Sequence, residues 1–373
     1  MGFSPYIIDP DLERIIEAEF TVDNRYIEFN TPTFIVSPRG GVYQPTAVKD
    51  SFKRVVRGFR EKGYLPFLRR EGGHLVIRIL NKVPSGKPRY TPNILLFAAT
   101  LATVAYDGYL RSSIPIFTVE LMPRTPIFVN VLLFLVSIMG IFGLHELAHR
   151  VIAMKEGVEA SMPYFIPAPP GMGGTFGAVI TQKEPPANRD ALFDLGLSGP
   201  LAGFITTIIV TIFGIATSFV VPVSKLSEWT AIYPEVGFQS IPMPPLMDLL
   251  LPIIRPITAT QVLIFHPVAF AAWVGCLVTF LNILPIWQLD GGHVSRAVLG
   301  AEKHRILSFI GLGVMVLSGF YVMALLLAIF MFRSREDVPI LDDVSPLSSG
   351  RKIFSLVYFV ILALTFVVFL PLF

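Results

Sequence analysis

From Pro126 to Leu144 the chain runs without one charged side chain. A run of about 20 apolar residues satisfies its own backbone hydrogen bonds as a helix and is long enough to cross a bilayer. Six such runs can be read, at 92–110, 126–150, 192–221, 262–286, 304–332 and 352–372. The chain is 53% hydrophobic and only 15% charged, far from the balance of a water-soluble domain. These features predict a polytopic α-helical membrane protein with about six transmembrane helices. Between the second and third runs lies "ASMPYFIPAPPGMGGTFGAVITQ", too rich in Pro and Gly for a helix yet almost uncharged. Irregular backbone at membrane depth is tolerated where protein or a wet cavity satisfies it, so this segment reads as a re-entrant loop with a strand at 175–181. The proline-rich stretch 242–256 reads as an interfacial loop or short helix.

Residues 1–90 have a different composition, with 15 of the 30 Lys and Arg and 10 of the 27 acids. They are expected to form a small soluble α+β domain, followed by a transmembrane domain over 91–373. In "VKDSFKRVVRGFREKG" (48–63), Phe52, Val55, Val56 and Phe59 recur at helical spacing. "YLPFLRR" and "HLVIRIL" read as strands joined by Glu71-Gly72-Gly73, and Pro-Ser-Gly-Lys-Pro at 84–88 reads as a linker. With the N-terminal domain on one side, alternate crossings put 22 Lys and Arg on that side against 8 on the other. By the positive-inside rule both termini, the N-terminal domain and the reactive side are expected in the cytoplasm, with the chain in the plasma membrane. The N-terminus shows neither a signal-peptide pattern nor, with Tyr6 at the sixth position, a myristoylation pattern. The net charge of +3 fits basic membrane loops, and no nucleic-acid motif appears. Cys276 is the single cysteine, which excludes an intrachain disulfide and a cysteine metal cluster. Any metal must therefore use His, Asp or Glu.

"HELAHR" closes the second run. His145 and His149 are four residues apart, so on a helix their imidazoles share one face and can share one metal ion, with Glu146 beside them. Two neutral imidazoles holding zinc, with a carboxylate that takes a proton from an acidified water, form a hydrolase arrangement. The polar-helix-end alternative leaves three ionisable groups on a span without a task, which is costly. A catalytic zinc wants three protein ligands and one open position. The third is expected where another helix ends at the same depth, and "NILPIWQLDGGH" (282–293) closes the fourth run, which crosses in the same direction as the second. Asp290 fits best, because Pro285 ends the helix and Gly291 and Gly292 let the backbone come close; His293 competes, and spacing alone does not exclude it.

These residues resemble the site-2 protease family, the M50-type membrane zinc metalloproteases of regulated intramembrane proteolysis. Its two signatures, HExxH and NxxPxxxLDG, stand here as His145-Glu146-Leu147-Ala148-His149 and as Asn282, Pro285 and Leu289-Asp290-Gly291. "GTFGAVITQ" (174–182), "ALFDLGLSGPLAG" (191–203) and "PNILLFAATLATVAYDGY" in the first run are similar to its plastid, cyanobacterial and archaeal branch. The resemblance implies one Zn²⁺ per chain on His145, His149 and Asp290, with Glu146 as general base and Asn282 holding the substrate backbone or the oxyanion. It also implies a β-segment whose edge pairs with an unwound substrate, the partners being transmembrane proteins cut within the lipid bilayer, after a first cleavage has removed a bulky ectodomain. Gly173, Gly174 and Gly177 would serve that segment or simply pack; Gly199 and Pro200 read as packing or kinking the third span. Neither a PDZ-like insert nor a cystathionine-synthase-type pair is present among these motifs, and no oligomeric state follows from them. The competing reading is a catalytically silent zinc scaffold that binds transmembrane helices, against which the intact Glu146 argues. A transporter would need further intramembrane acids, which the last two runs lack. His74 reads as a surface imidazole, His266 as facing the interface and His304 as part of a basic anchor.

Overall fold

The computed structural model describes residues 10–83, 90–333 and 338–369. The first nine residues, the expected linker at 84–88, Arg335 of the charge count and the end of the sixth run lie outside them. The N-terminal region comprises α1 (Pro10–Glu17), β1 (Phe20–Glu28), β2 (Thr31–Pro38), α2 (Pro45–Glu61), β3 (Tyr64–Glu71) and β4 (His74–Asn81). The strands make an antiparallel sheet in the order β1-β2-β4-β3. Phe52, Val55, Val56 and Phe59 bury one face of α2 against Phe34, Val36, Leu75 and Ile77 of the sheet. The expected helix and strand pair are therefore present. β1 and β2 escaped the sequence reading because β1, in "FTVDNRYIE", is an edge strand exposed along most of its length and carries no apolar alternation.

The rest is a polytopic helical bundle. Its first part contains α3 (Thr91–Ser112), a π-helical turn (Ile116–Leu121), α4 (Ile127–Lys155), β5 (Tyr164–Pro167), β6 (Thr175–Val179) and α5 (Arg189–Thr217). Then follow β7 (Phe219–Pro222), α6 (Val223–Ile232), α7 (Pro245–Ile254), β8 (Gln261–Ile264), α8 (Pro267–Ile283) and α9 (Asp290–Leu299). The chain continues through α10 (Ala301–Leu317), α11 (Tyr321–Arg333) and α12 (Ser349–Thr365). Among the described residues three helices, α3, α4 and α5, are long and apolar enough to cross a membrane; α7, α8 and α11 are shorter apolar helices. Helices α4, α5 and α8 pack together at the centre, with Cys276 buried among Leu197, Phe204 and Ile283.

The fifth apolar run is not one helix. It breaks at Ser318–Phe320, and α11 folds back on α10 so that the rings of Phe309 and Phe332 lie 6.1 Å apart. The sixth run is consequently reversed relative to expectation. Arg351, at the start of α12, bonds Asp194 at 2.8 and 2.5 Å on the first turns of α5, while the Phe369 N–H donates to the Ser318 carbonyl at the hairpin tip (2.9 Å). Arg333 ends α11 at the same end of the bundle as Arg351 and Lys352, so the three belong with the N-terminal region, and the described chain ends at the opposite end. Composition could not reveal this, because a 29-residue apolar run looks alike whether it crosses or turns back.

Residues 338–346 strap the two regions together. The strap lies as a strand between β3 and residues 186–188: the Leu68 N–H donates to the Leu341 carbonyl (2.8 Å), and the Leu341 and Asp342 N–H groups donate to Pro186 and Ala187 (both 3.0 Å). Leu341 enters the core beneath α2. Arg69 donates to the Ile340 and Leu341 carbonyls, and Lys49 reaches Asp190 (3.1 Å) and the Pro346 carbonyl (2.7 Å). Asp343 receives both amino groups of Arg296 from α9 (3.1 and 2.8 Å) and Arg189 from α5. Burial raises the Asp343 pKa, but the hydrogen bonds from Arg296 outweigh it and hold the carboxyl below its usual value. The contribution is thus fully present above the unfolded carboxylate pKa, about 3.9, and is lost as pH falls through the lower native value. Asp343→Ala leaves the buried Arg296 unpaired and should cost about 3 kcal/mol, read as a lower thermal midpoint in detergent. The double variant Arg296→Met/Asp343→Leu should recover most of it.

Candidate active site

α4 carries its two histidines toward α5. The His149 Nδ1–H donates to the Leu195 carbonyl (2.8 Å), with Ser198 Oγ at 3.4 Å, which leaves Nε2 of the neutral ring with its lone pair directed inward. His145 Nε2 lies 3.1 Å from His149 Nε2. Both rings fit only because α5 presents glycine to them: a Cβ on Gly199 would overlap the His149 imidazole, and one on Gly203 would press on His145 Nδ1 at 3.0 Å. Pro200, between them, removes the N–H that would bond the Gly196 carbonyl.

The opposing wall comes from the chain reversal after α8. Leu284 is extended (φ −59°, ψ 139°), as the residue before Pro285 must be, and α9 opens with Asp290. The start of α9 returns so closely that a Cβ on Gly291 would collide with the Ile283 carbonyl. Asp290 Oδ2 then lies 3.1 Å from His145 Nε2 and Oδ1 3.3 Å from His149 Nε2. Among the described residues, His145, His149 and Asp290 are the cluster able to hold a metal. Donors about 2.0–2.1 Å from one tetrahedral ion are about 3.3 Å apart, close to the separations observed, so the donor set fits a single Zn²⁺.

Glu146 and Asn282 line the same cavity of about 250 Å³, and Glu146 is 6% exposed. All five residues singled out in the sequence thus meet in one place. His293, the competing ligand, also borders the cavity but lies outside the cluster, its Cβ packed where a side chain on Gly196 would go. Sequence reasoning missed the Leu195 carbonyl, since a backbone acceptor leaves no signature, and it missed Gln182 and Gln288 on the cavity wall. His74 is exposed as expected. His266 does not face the interface: it is buried, accepts from the Val268 N–H to cap α8, and its Nε2 lies 3.3 Å from Asn130 Oδ1. His304 is likewise buried and meets Ser295 Oγ at 2.7 Å rather than anchoring the surface.

The β5–β6 hairpin flanks the cavity through Ala178, Val179 and Ile180. Its length is tied to α3: Asn93 donates to the Met162 and Pro163 carbonyls (3.0 Å each), Thr103 to Gly174 (2.7 Å) and Arg111 to Gly171 (2.9 Å). If the glycine face of α5 seats His149, Gly199→Ala should lower metal affinity by about tenfold or more. Gly143→Ala, where a Cβ meets open space, should leave it unchanged. Metal content across a series of competing chelators checks both.

Residues 133–326, more than half of the chain, match peptidase family M50. The chain is 27% identical over 302 residues to "Probable zinc metallopeptidase EGY3, chloroplastic" of Arabidopsis thaliana, covering 74% of this chain and 48% of that protein. It is 30% identical over 228 residues to "Probable zinc metalloprotease EGY1, chloroplastic" of the same plant, covering 58% and 39%. With "Probable zinc metalloprotease EGY2, chloroplastic" of Oryza sativa subsp. indica it shares 29% over 182 residues, 49% of this chain and 32% of that one. The chain spans about half the length of the curated relatives it matches, or less. No solved structure matches it. The relatives' names are chloroplastic, which corrects the expected plasma-membrane and cytoplasmic placement; a charge count bears on which end of a bundle stays behind at insertion, and carries no information on which membrane receives it. The matched segment contains His145, His149 and Asp290 together, and the chain belongs to peptidase family M50.

Proposed function

We propose that the chain is an intramembrane zinc endopeptidase that hydrolyses peptide bonds within transmembrane segments of other membrane proteins. The observation that carries this reading is the convergence of His145, His149 and Asp290 on the wall of a cavity that also holds the carboxylate of Glu146. A bound zinc would supply a Lewis acid that acidifies water and polarises the scissile carbonyl. Glu146 takes the proton released by the attacking water and delivers it to the departing amine. Asn282 donates from its amide to the substrate backbone or the developing oxyanion. His149 is kept in the tautomer that binds metal by its bond to Leu195.

The substrate must be locally unwound, because a helix hides its carbonyls in hydrogen bonds. The β5–β6 hairpin serves here as a re-entrant segment whose edge receives the extended peptide. Its bonds run along α3 from Asn93 to Arg111, a depth of about 27 Å at the helical rise, which supports insertion to membrane depth. Of the six apolar runs, the fifth enters the bilayer as the α10–α11 pair. The chain divides near residue 90 into a soluble domain and a membrane protease domain, and its role is regulated proteolysis of single-span proteins already shortened by a first cut.

Purified protein in detergent should cleave some members of a panel of single-span substrates within the span, lose this activity to a chelator and regain it with zinc. Glu146→Gln should retain the metal and lose at least about 10²–10⁴-fold in rate, and Asn282→Ala about 10²–10³-fold. Stoichiometric zinc with no cutting in several folded preparations would sink the protease reading in favour of a zinc scaffold.

A further inference from the structure

The two-residue turn between β1 and β2 is Phe29-Asn30, and both residues have positive φ (47° and 61°). Such a turn favours Asn, Asp or Gly, and a bulky aromatic there is an outlier. Phe29 is also 96% exposed, the most exposed large apolar side chain among the described residues. A strained position carrying a bare phenyl ring makes little sense in water.

The register says where this ring points. Thr33 pairs with Arg78 and Val36 with Leu75, so the Phe29-Asn30 turn lies at the Asn81 end of β4, opposite the Gly72-Gly73 turn. That end lies beside the segment that follows α4, while the start of α2 reaches α5 through Lys49. Just beyond Asn81, Lys82 bonds Glu159, a few residues past the end of α4, and Glu184; the chain then enters α3. Val83 at the same end is 83% exposed, and Leu80 and Ile27 are also exposed. The strap, β3, β4, β2 and β1 succeed one another away from residues 186–188, at about 4.8 Å per strand, so the turn lies about 20 Å across the sheet from the start of α5.

We propose that the Phe29 turn is a membrane foot: it enters the headgroup–acyl boundary of the bilayer beside the bundle and, with Lys82 and the strap, fixes the N-terminal domain's height above the active site. The ring gains an apolar surrounding there, and the turn's polar backbone stays among headgroups.

The test uses the full chain in phosphatidylcholine vesicles, with an environment-sensitive NBD label on Asn30→Cys and the buried Cys276 read as background from the unsubstituted chain. The expected emission is blue-shifted, quenched by doxyl-labelled phosphatidylcholine and shielded from aqueous iodide. Adding Phe29→Asp should abolish the lipid quenching, while a label on His74→Cys, at the opposite end of the sheet, stays open to iodide throughout. Thr31→Cys gives the same reading if the turn resists substitution. A label as open to iodide as that on His74 overturns the proposal, and one shielded without doxyl quenching overturns it by assigning the turn to a protein contact.

Discussion

The close approach of α4 to α5 underlies the rest of the structure. Without side chains at Gly199 and Gly203 the helices come near enough for the two imidazoles to lie in the seam instead of forcing it apart. The same proximity brings the Leu195 carbonyl to His149, and Gly196 one turn earlier receives the start of α9 with Asp290. One helix face therefore orients both histidines and seats the helix-to-helix reversal that supplies the third ligand. The arrangement is stiff, since α4, α5 and α8 fill the surrounding space with buried apolar side chains.

The end of the molecule that carries the N-terminal region is organised around a different constraint. An isolated four-stranded sheet with an open β3 edge would present unpaired backbone groups. The strap occupies that edge and links it to residues 186–188, so the N-terminal sheet and the entrance to α5 share backbone hydrogen bonds. Asp343, Arg296 and Arg189 then connect the strap to α9 and α5, the two helices whose first turns bear on the site. The placement of the N-terminal sheet beside the entrance to α5 follows from this pairing.

Much of the candidate site was legible because its chemistry is local. The four-residue spacing of His145 and His149 forces a shared helix face, and Pro285 with Gly291-Gly292 predicts a close chain reversal wherever it falls. The helix at 45–61 and the β3–β4 pair were legible from amphipathic period and turn residues. The reversal at Ser318–Phe320 was not, because the hydropathy of α10 and α11 is continuous in kind. Nor was the strap: "VPILDDVSP" has no period, and its strand character comes from partners at residues 68 and 186–188. His266 and His304 were misjudged for the same reason, their neighbours Asn130 and Ser295 being supplied by the packing.

By itself the sequence determined that the chain is a membrane protein, that two histidines and a glutamate share a helix end, and that a reversal bearing Asp290 closes a run of the same direction. These follow from hydrophobic length and helical period, which operate between residues near in the chain. Only the tertiary structure decided that Asp290 rather than His293 faces both imidazoles, that α12 begins beside the N-terminal region, and that Leu341 belongs to a core formed by residues of the N-terminal region, Leu12 to Ile79. Those outcomes depend on which distant surfaces exclude water and pair their backbone groups together, and no local pattern encodes that choice.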